Sequence, residues 1–115
     1  MAKEIKVMVV DDEPHIAQLL NIYLRKEGYQ TTVCTKGRDA LNKLRKDDYD
    51  IVLLDWMMPE MDGLETLAEI RKFSKVPVIM MSGKENPMKG GMDDFVIKPF
   101  DPPDVVKRVK ALLAK

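Results

Sequence analysis

Short runs of almost unbroken apolar, β-branched residues punctuate this chain, and each is followed by a stretch with helical periodicity. That alternation limits the possible folds more than any other feature. The run IKVMVV at positions 5–10 has the make-up of a strand covered on both faces. In EPHIAQLLNIYLRKEGY, which follows, Ile16, Leu19, Leu20, Tyr23 and Leu24 fall at helical spacing, with Pro14 near the first turn and Gly28 as the stop. QTTVC at 30–34 predicts a second strand, and GRDALNKLRKD a helix whose stripe is Ala40, Leu41 and Leu44. DIVLL predicts a third strand, with Leu64, Leu67 and Ile70 marking the next helix. VPVIMM and the shorter DFVIK predict strands four and five. The last helix opens with Asp101 as its cap and Pro102 at its first position, and buries Val105, Val106, Val109, Leu112 and Leu113.

Strands that alternate with helices are joined by crossovers rather than tight hairpins. The expected architecture is therefore a five-stranded parallel sheet with right-handed connections and helices on both faces. One connection departs from the pattern. SGKENPMKGGMD, at 82–93, carries Asn-Pro and Gly-Gly breakers and no apolar stripe, so a loop or a single irregular turn is expected there instead of a full helix.

The chain has 115 residues, enough for one domain with one core. Its 45% hydrophobic and 33% charged residues are the balance of a folded protein. Nineteen basic and 19 acidic side chains cancel, which leaves no whole-chain electrostatic footprint for nucleic acid. Neither a signal peptide nor a membrane-spanning apolar run is visible, and Cys34 is the only cysteine, so a cytoplasmic setting without membrane contact is expected.

In an open parallel sheet, functional groups gather beyond the carboxyl ends of the strands. The first strand ends in Asp11 and Asp12, the third in Asp55, the fourth in Ser82 followed by Gly83, and the fifth in Lys98 followed by Pro99. Three carboxylates that close repel one another unless a cation sits among them. Mg²⁺ suits such a site, since it takes oxygen ligands at about 2.0–2.1 Å and is typically held by one or two carboxylates together with phosphate oxygens. Lys98 leaves the cluster negative and supplies a point charge for a phosphoryl oxygen. A hydroxyl at Ser82 and an unobstructed Gly83 complete a set suited to phosphoryl transfer.

VVDDE, LLDWMMPEMDG, MMSG and FVIKPF together resemble the four signature blocks of bacterial and archaeal response-regulator receiver domains, in the family's order and over nearly the whole chain. The resemblance implies a single receiver domain over 1–115. Its fold would be flavodoxin-like and doubly wound, with strand order 2-1-3-4-5 and, in this sequence, a fourth helix that is shortened or absent. It implies that Asp55 is the phosphoacceptor, taking a phosphoryl group from a phosphohistidine of a sensor histidine kinase or phosphotransfer protein. Asp12 matches the direct Mg²⁺ ligand, Asp11 the acid acting through water, and Met57 the position that supplies a backbone carbonyl. Ser82, Gly83 and Lys98 match the phosphate-binding positions. Ser82 and Phe95 match the switch pair that moves when the phosphate arrives. Met57 and Lys84 stand at positions that tune dephosphorylation. By the same resemblance the domain would catalyse only its own phosphorylation and dephosphorylation, and would act by docking to a downstream protein or as a piece of a longer regulator. Nothing in the pattern specifies an oligomeric state.

The same residues admit plainer roles. A phosphorylation-independent, receiver-like binding module is the principal alternative, favoured by the breaker-rich fourth connection. A haloacid-dehalogenase-type phosphatase would carry a second acid two residues after its nucleophile, and Met57 stands there. Alone, Asp12 could be a helix cap, and Phe95 suits a core or edge aromatic as well as a switch. Cys34 reads as a small buried hydrophobe, His15 as an exposed residue at a helix start, and the methionines as core filler, with Met57 and Met58 rimming the site. Lys107, Arg108 and Lys110 read as a solvated basic face.

Overall fold

The structure, a computed structural model, describes residues 4–83 and 91–115. Its elements follow in the order β1 (Lys6–Val10), α1 (Pro14–Lys26), β2 (Gln30–Cys34), α2 (Gly37–Lys46), β3 (Ile51–Asp55), α3 (Gly63–Arg71), β4 (Val78–Ser82), β5 (Asp94–Ile97) and α4 (Pro102–Leu113). All the strand pairs are parallel, in the order β2-β1-β3-β4-β5. The doubly wound, flavodoxin-like sheet expected from the sequence is the sheet observed.

Side chains alternate across each strand, so an unbroken apolar run feeds two cores. Met8, Val10, Val52, Leu54, Val78 and Met80 pack with Leu41, Leu67 and Ile70 of α2 and α3. Val7, Val9, Ile51, Leu53, Ile79 and Met81 pack with Leu20, Leu24, Val105 and Val109 of α1 and α4. Burying each such side chain is worth roughly 1.5–3 kcal/mol. A charge that ends one of these runs therefore needs a reason.

Helix ends are set locally. Gly28 has φ 88°, and its N–H donates to the Arg25 carbonyl at 2.9 Å while the Tyr29 N–H donates to Leu24, closing α1 as a glycine stop. The start of α3 is a capping box: Asp62 Oδ1 accepts the Glu65 N–H at 2.8 Å, and the Glu65 side chain reaches back to the Asp62 N–H.

Several expectations are corrected. Leu19 is 37% exposed, because α1 lays only the row Ala17, Leu20 and Leu24 on the sheet and turns Leu19 and Ile22 away from it. Asp101 occupies the N-cap of α4 but makes no side-chain cap bond. Pro102 and Pro103 have no N–H to donate to it, and the N–H groups of Asp104 and Val105 donate to the Asp101 carbonyl instead. Leu112 and Leu113 are half-buried in the last turn of α4, packed against the core rather than within it. Met58 lies in the core beside α2 and α3 and does not rim the site. Arg108 does more than face solvent: it bonds Asp104 at 3.1 Å, Asp94 at 2.8 Å and the Phe95 carbonyl at 3.3 Å, tying α4 to β5.

Most of the breaker-rich connection, with Lys84, lies outside the described residues. Among those described, Gly83 is a bend, residues 91–93 run as a turn into β5, and no helix falls between β4 and β5. Arg71, at the end of α3, holds the near side of that turn. It donates to the Gly91 carbonyl at 3.0 Å and the Val76 carbonyl at 2.7 Å, and pairs with Asp93 at 3.0 Å. Asp93 Oδ2 also accepts the Val78 N–H at 2.8 Å, so the starts of β4 and β5 are fastened together.

Gly63 places α3 directly beneath the end of β3. Its N–H donates to the Trp56 carbonyl at 2.8 Å, and a methyl group added at its Cα would stand 2.5 Å from the Asp55 carbonyl oxygen and 2.7 Å from Trp56 Cα. Gly63→Ala is expected to destabilise the fold by about 1–3 kcal/mol, the usual cost of overpacking against groups that cannot yield. Urea unfolding measures this, and an unchanged midpoint would mean that α3 can shift freely from β3.

Candidate functional site

The strand order reverses between β1 and β3, and functional groups collect at the carboxyl ends around such a switch point. Register brings them together here. Val10 pairs with Leu54, so Asp11 and Asp55 emerge as neighbours. Asp55 pairs with Met81, which puts Ser82 one step beyond it. Ser82 pairs with Ile97, and the next residue, Lys98, donates its N–H to the Ser82 carbonyl at 2.7 Å. Residues far apart in the chain thus meet on one edge.

The charges sit where solvation is poor. Asp11 and Asp55 are 0% and 2% exposed, and Ser82 is buried beside them. Lys98 reaches into this cluster from β5. Its Nζ lies 2.9 Å from Asp11 Oδ2, 3.2 Å from Asp55 Oδ1 and 3.2 Å from Glu13 Oε1. The other oxygen of Asp11 accepts the Glu13 N–H at 2.9 Å, which holds the β1–α1 turn. Both Asp11 oxygens are therefore engaged. Asp55 Oδ2, by contrast, is buried with no hydrogen-bond partner among the described residues. An orphaned carboxylate oxygen costs roughly 1–3 kcal/mol or more.

These surroundings shift the ionisation of both partners. Burial, and then the negative charge of Asp11, push the Asp55 carboxyl up to about 7, although Lys98 pulls the other way. Burial is the largest single influence on Lys98 and disfavours its charge, but Asp11, Asp55 and Glu13 outweigh it and hold the ammonium above its usual value. Cys34 is raised by burial, which suits the inert hydrophobe expected.

The donor set fits a hard divalent cation. Asp11, Asp12 and Asp55 each offer a carboxylate oxygen, all within 4.8 Å of one another. The orphaned Asp55 Oδ2 and the half-exposed Asp12 face the charge conflict that such an ion would relieve. Lys98 cannot neutralise three acids alone.

Other expected site residues are placed less tightly. Met57 is exposed in the loop after β3, Gly83 is exposed after β4, and Phe95 is half-buried against the core beside α2 and α3. Trp56 packs against that same core, next to Asp55. Asp12 does not cap α1, whose N-cap is Glu13. Glu13 is the participant that the residue pattern did not single out. Its only signal is its place directly after the acidic pair in VVDDE.

Comparison with known proteins agrees with this geometry. The profile of the response regulator receiver domain matches residues 7–110. The transcriptional regulatory protein ResD of Bacillus subtilis (strain 168) is 43% identical, over 97% of this chain and 49% of ResD. The transcriptional regulatory protein SrrA of Staphylococcus aureus (strain NCTC 8325 / PS 47) is 38% identical, over 96% of this chain and 48% of SrrA. The chain thus spans about half the length of these relatives. Among solved structures, the receiver domain of the Francisella response regulator 1452 superposes with a TM-score of 0.91 at 35% identity, covering 96% of this chain and 98% of that one. The receiver domain of sensor histidine kinase PA1611 from Pseudomonas aeruginosa PAO1, with a magnesium ion coordinated in its active-site cleft, superposes at 0.89 with 25% identity, covering 98% and 100%.

The raised Asp55 makes stability depend on pH in a defined direction. Its folded value of about 7 lies above the roughly 3.9 of an unfolded aspartate, so the folded state keeps a proton that the unfolded state gives up. In metal-free buffer, stability is expected to fall as pH rises from about 4 to about 7, by at most about 1.4 kcal/mol per pH unit. Asp55→Asn should flatten that slope and be the more stable protein at pH 8. Parallel wild-type and variant profiles in denaturant titrations would show that Asp55 does not carry the shift.

Proposed function

This chain belongs to the response regulator receiver domain family, and from that premise we propose that Asp55 is its phosphoacceptor, served by Mg²⁺ held at Asp11, Asp12 and Asp55. Receiver domains serve phosphorylation-controlled two-component signalling, with histidine kinases or phosphotransfer proteins as donors. The observation that carries the assignment is Asp55 itself: a buried carboxylate at a strand end, one oxygen on Lys98 and the other without a partner among the described residues.

A carboxylate oxygen of Asp55 attacks the phosphorus of a phosphohistidine as the P–N bond breaks, and the bonding pair leaves on the imidazole. Mg²⁺, when bound, neutralises charge on the transferring group. Asp12 would be its direct ligand, the Met57 carbonyl a further one, and Asp11 would act through water, since both Asp11 oxygens already accept hydrogen bonds. Lys98 lies 3.2 Å from Asp55 Oδ1, so it is poised to follow charge onto a phosphoryl oxygen. Ser82, one step past the cross-strand partner of Asp55, would bond another oxygen, and the absence of a side chain at Gly83 leaves room for the group.

The readout follows from position. Phe95 pairs with Met80 across β4 and β5, two residues before Ser82, so a hydroxyl drawn toward phosphate would open space for the ring to turn inward. On this reading residues 1–115 form one cytoplasmic receiver domain that catalyses only its own phosphorylation and dephosphorylation, and signals by docking to a downstream protein without contacting nucleic acid itself. Among the described residues, no helix is long and apolar enough to cross a membrane.

Trp56 adjoins Asp55 and provides the test. Its fluorescence is expected to change on adding Mg²⁺ and again on adding acetyl phosphate, with intact mass rising by one phosphoryl group. Asp55→Asn should lack the second change and the mass gain. A metal response with unchanged mass in the wild type would point instead to a binding module independent of phosphorylation.

A further inference from the structure

The N-cap of α1 is filled against its usual preference. Ser, Thr, Asp and Asn lead at this position because their short side chains accept a free N–H of the first turn. Glu13 stands there, extended at φ −91° and ψ 109°, and makes no side-chain cap bond. Its carboxylate is turned to Lys98 instead, with Oε1 at 3.2 Å from Nζ. Lys98 thereby faces three carboxylates: it hydrogen-bonds Asp11 and Glu13 and pairs with Asp55 Oδ1 at 3.2 Å.

The three partners are not equal. The side chains of Asp11 and Asp55 are almost wholly buried, whereas that of Glu13 is 56% exposed. Water can replace Lys98 at Glu13 at little cost, because exposed ion pairs are weak. It cannot do so at the two aspartates. A lysine ammonium has no fourth donor. If Lys98 is to serve a phosphoryl oxygen as well as Asp11 and the modified Asp55, three neighbours take its three donors, and Glu13 is the partner released.

We propose that Glu13 is a positioning residue for Lys98, an occupant of one ammonium donor that gives way to the phosphoryl oxygen. This rests on Asp55 being the phosphoacceptor. In the resting state Glu13 keeps the ammonium directed toward the mouth of the site, and the ion pair opposes the phosphorylated state by the small energy needed to break it.

Beryllofluoride, a phosphoryl mimic, can be titrated into the protein in saturating Mg²⁺ with Trp56 fluorescence as the readout. Glu13→Gln removes the charge, while Glu13→Asp keeps the charge on a side chain one methylene shorter that can cap α1. Both retain the backbone N–H that Asp11 accepts. Both variants are expected to bind the mimic about two- to five-fold more tightly than wild type, the range set by an exposed ion pair. Tightening in Glu13→Gln with wild-type affinity in Glu13→Asp would mean general charge repulsion and overturn the exchange. Wild-type affinity in both variants would overturn it as well. Failure of the wild type to bind the mimic, matched by Asp55→Asn, would remove the phosphoacceptor assignment itself and the role of Glu13 with it.

Discussion

Everything at the carboxyl edge of this sheet depends on one ammonium group. Lys98 sits among Asp11, Asp55 and Glu13 at 2.9–3.2 Å, and two of those carboxylates are buried. Without it the buried acids would face each other with little water to screen them. Even with it the count is unbalanced. The surplus appears as the raised Asp55 and as an oxygen that no group among the described residues satisfies. The site is therefore under electrostatic strain that a divalent cation would relieve.

The fold supplies what this arrangement needs, which is rigidity at the ends of β1, β3 and β5. Two apolar cores clamp the central strands on both faces, and Gly63 seats α3 against the backbone of Asp55 and Trp56 with no room to slide. The edge strand β5, which carries Lys98, is held by arginines at both flanks. Arg71 and Asp93 fasten its start to β4, and Arg108 ties Asp94 and the Phe95 carbonyl to α4. Among the described residues, these polar ties hold the flank of the sheet at β4 and β5.

The elements are legible in the sequence because their signals are local. Apolar strand runs, the Gly28 stop and the Pro102 start are each decided within a turn or two of chain, and they survive folding intact. Leu19 escapes such a reading because a helical stripe one residue wider than the contact surface looks the same in one dimension. Asp101 has capping chemistry, but two prolines follow it and the first free N–H, that of Asp104, goes to the Asp101 carbonyl rather than to its side chain. Arg108 and Arg71 look like any solvated cations until tertiary contact brings Asp94, Asp93 and bare carbonyls within reach.

The sequence by itself determined the alternation of strand and helix, the apolar strands that demand cover on both sides, and the residue types waiting at each strand end: Asp11, Asp12, Asp55, Ser82 and Lys98. Those are properties of spacing and chemistry, and spacing is written in the chain. Only the tertiary structure decided that Asp11 is consumed by Lys98 and the Glu13 backbone, that Asp55 Oδ2 is stranded, and that Glu13 forgoes its cap to reach across from α1 to Lys98. Those outcomes depend on distances between residues as far apart in sequence as 11 and 98, which cross-strand register and burial set. No local pattern encodes how three acids will share one cation, because the energy of each ion pair depends on how much water the fold leaves around it.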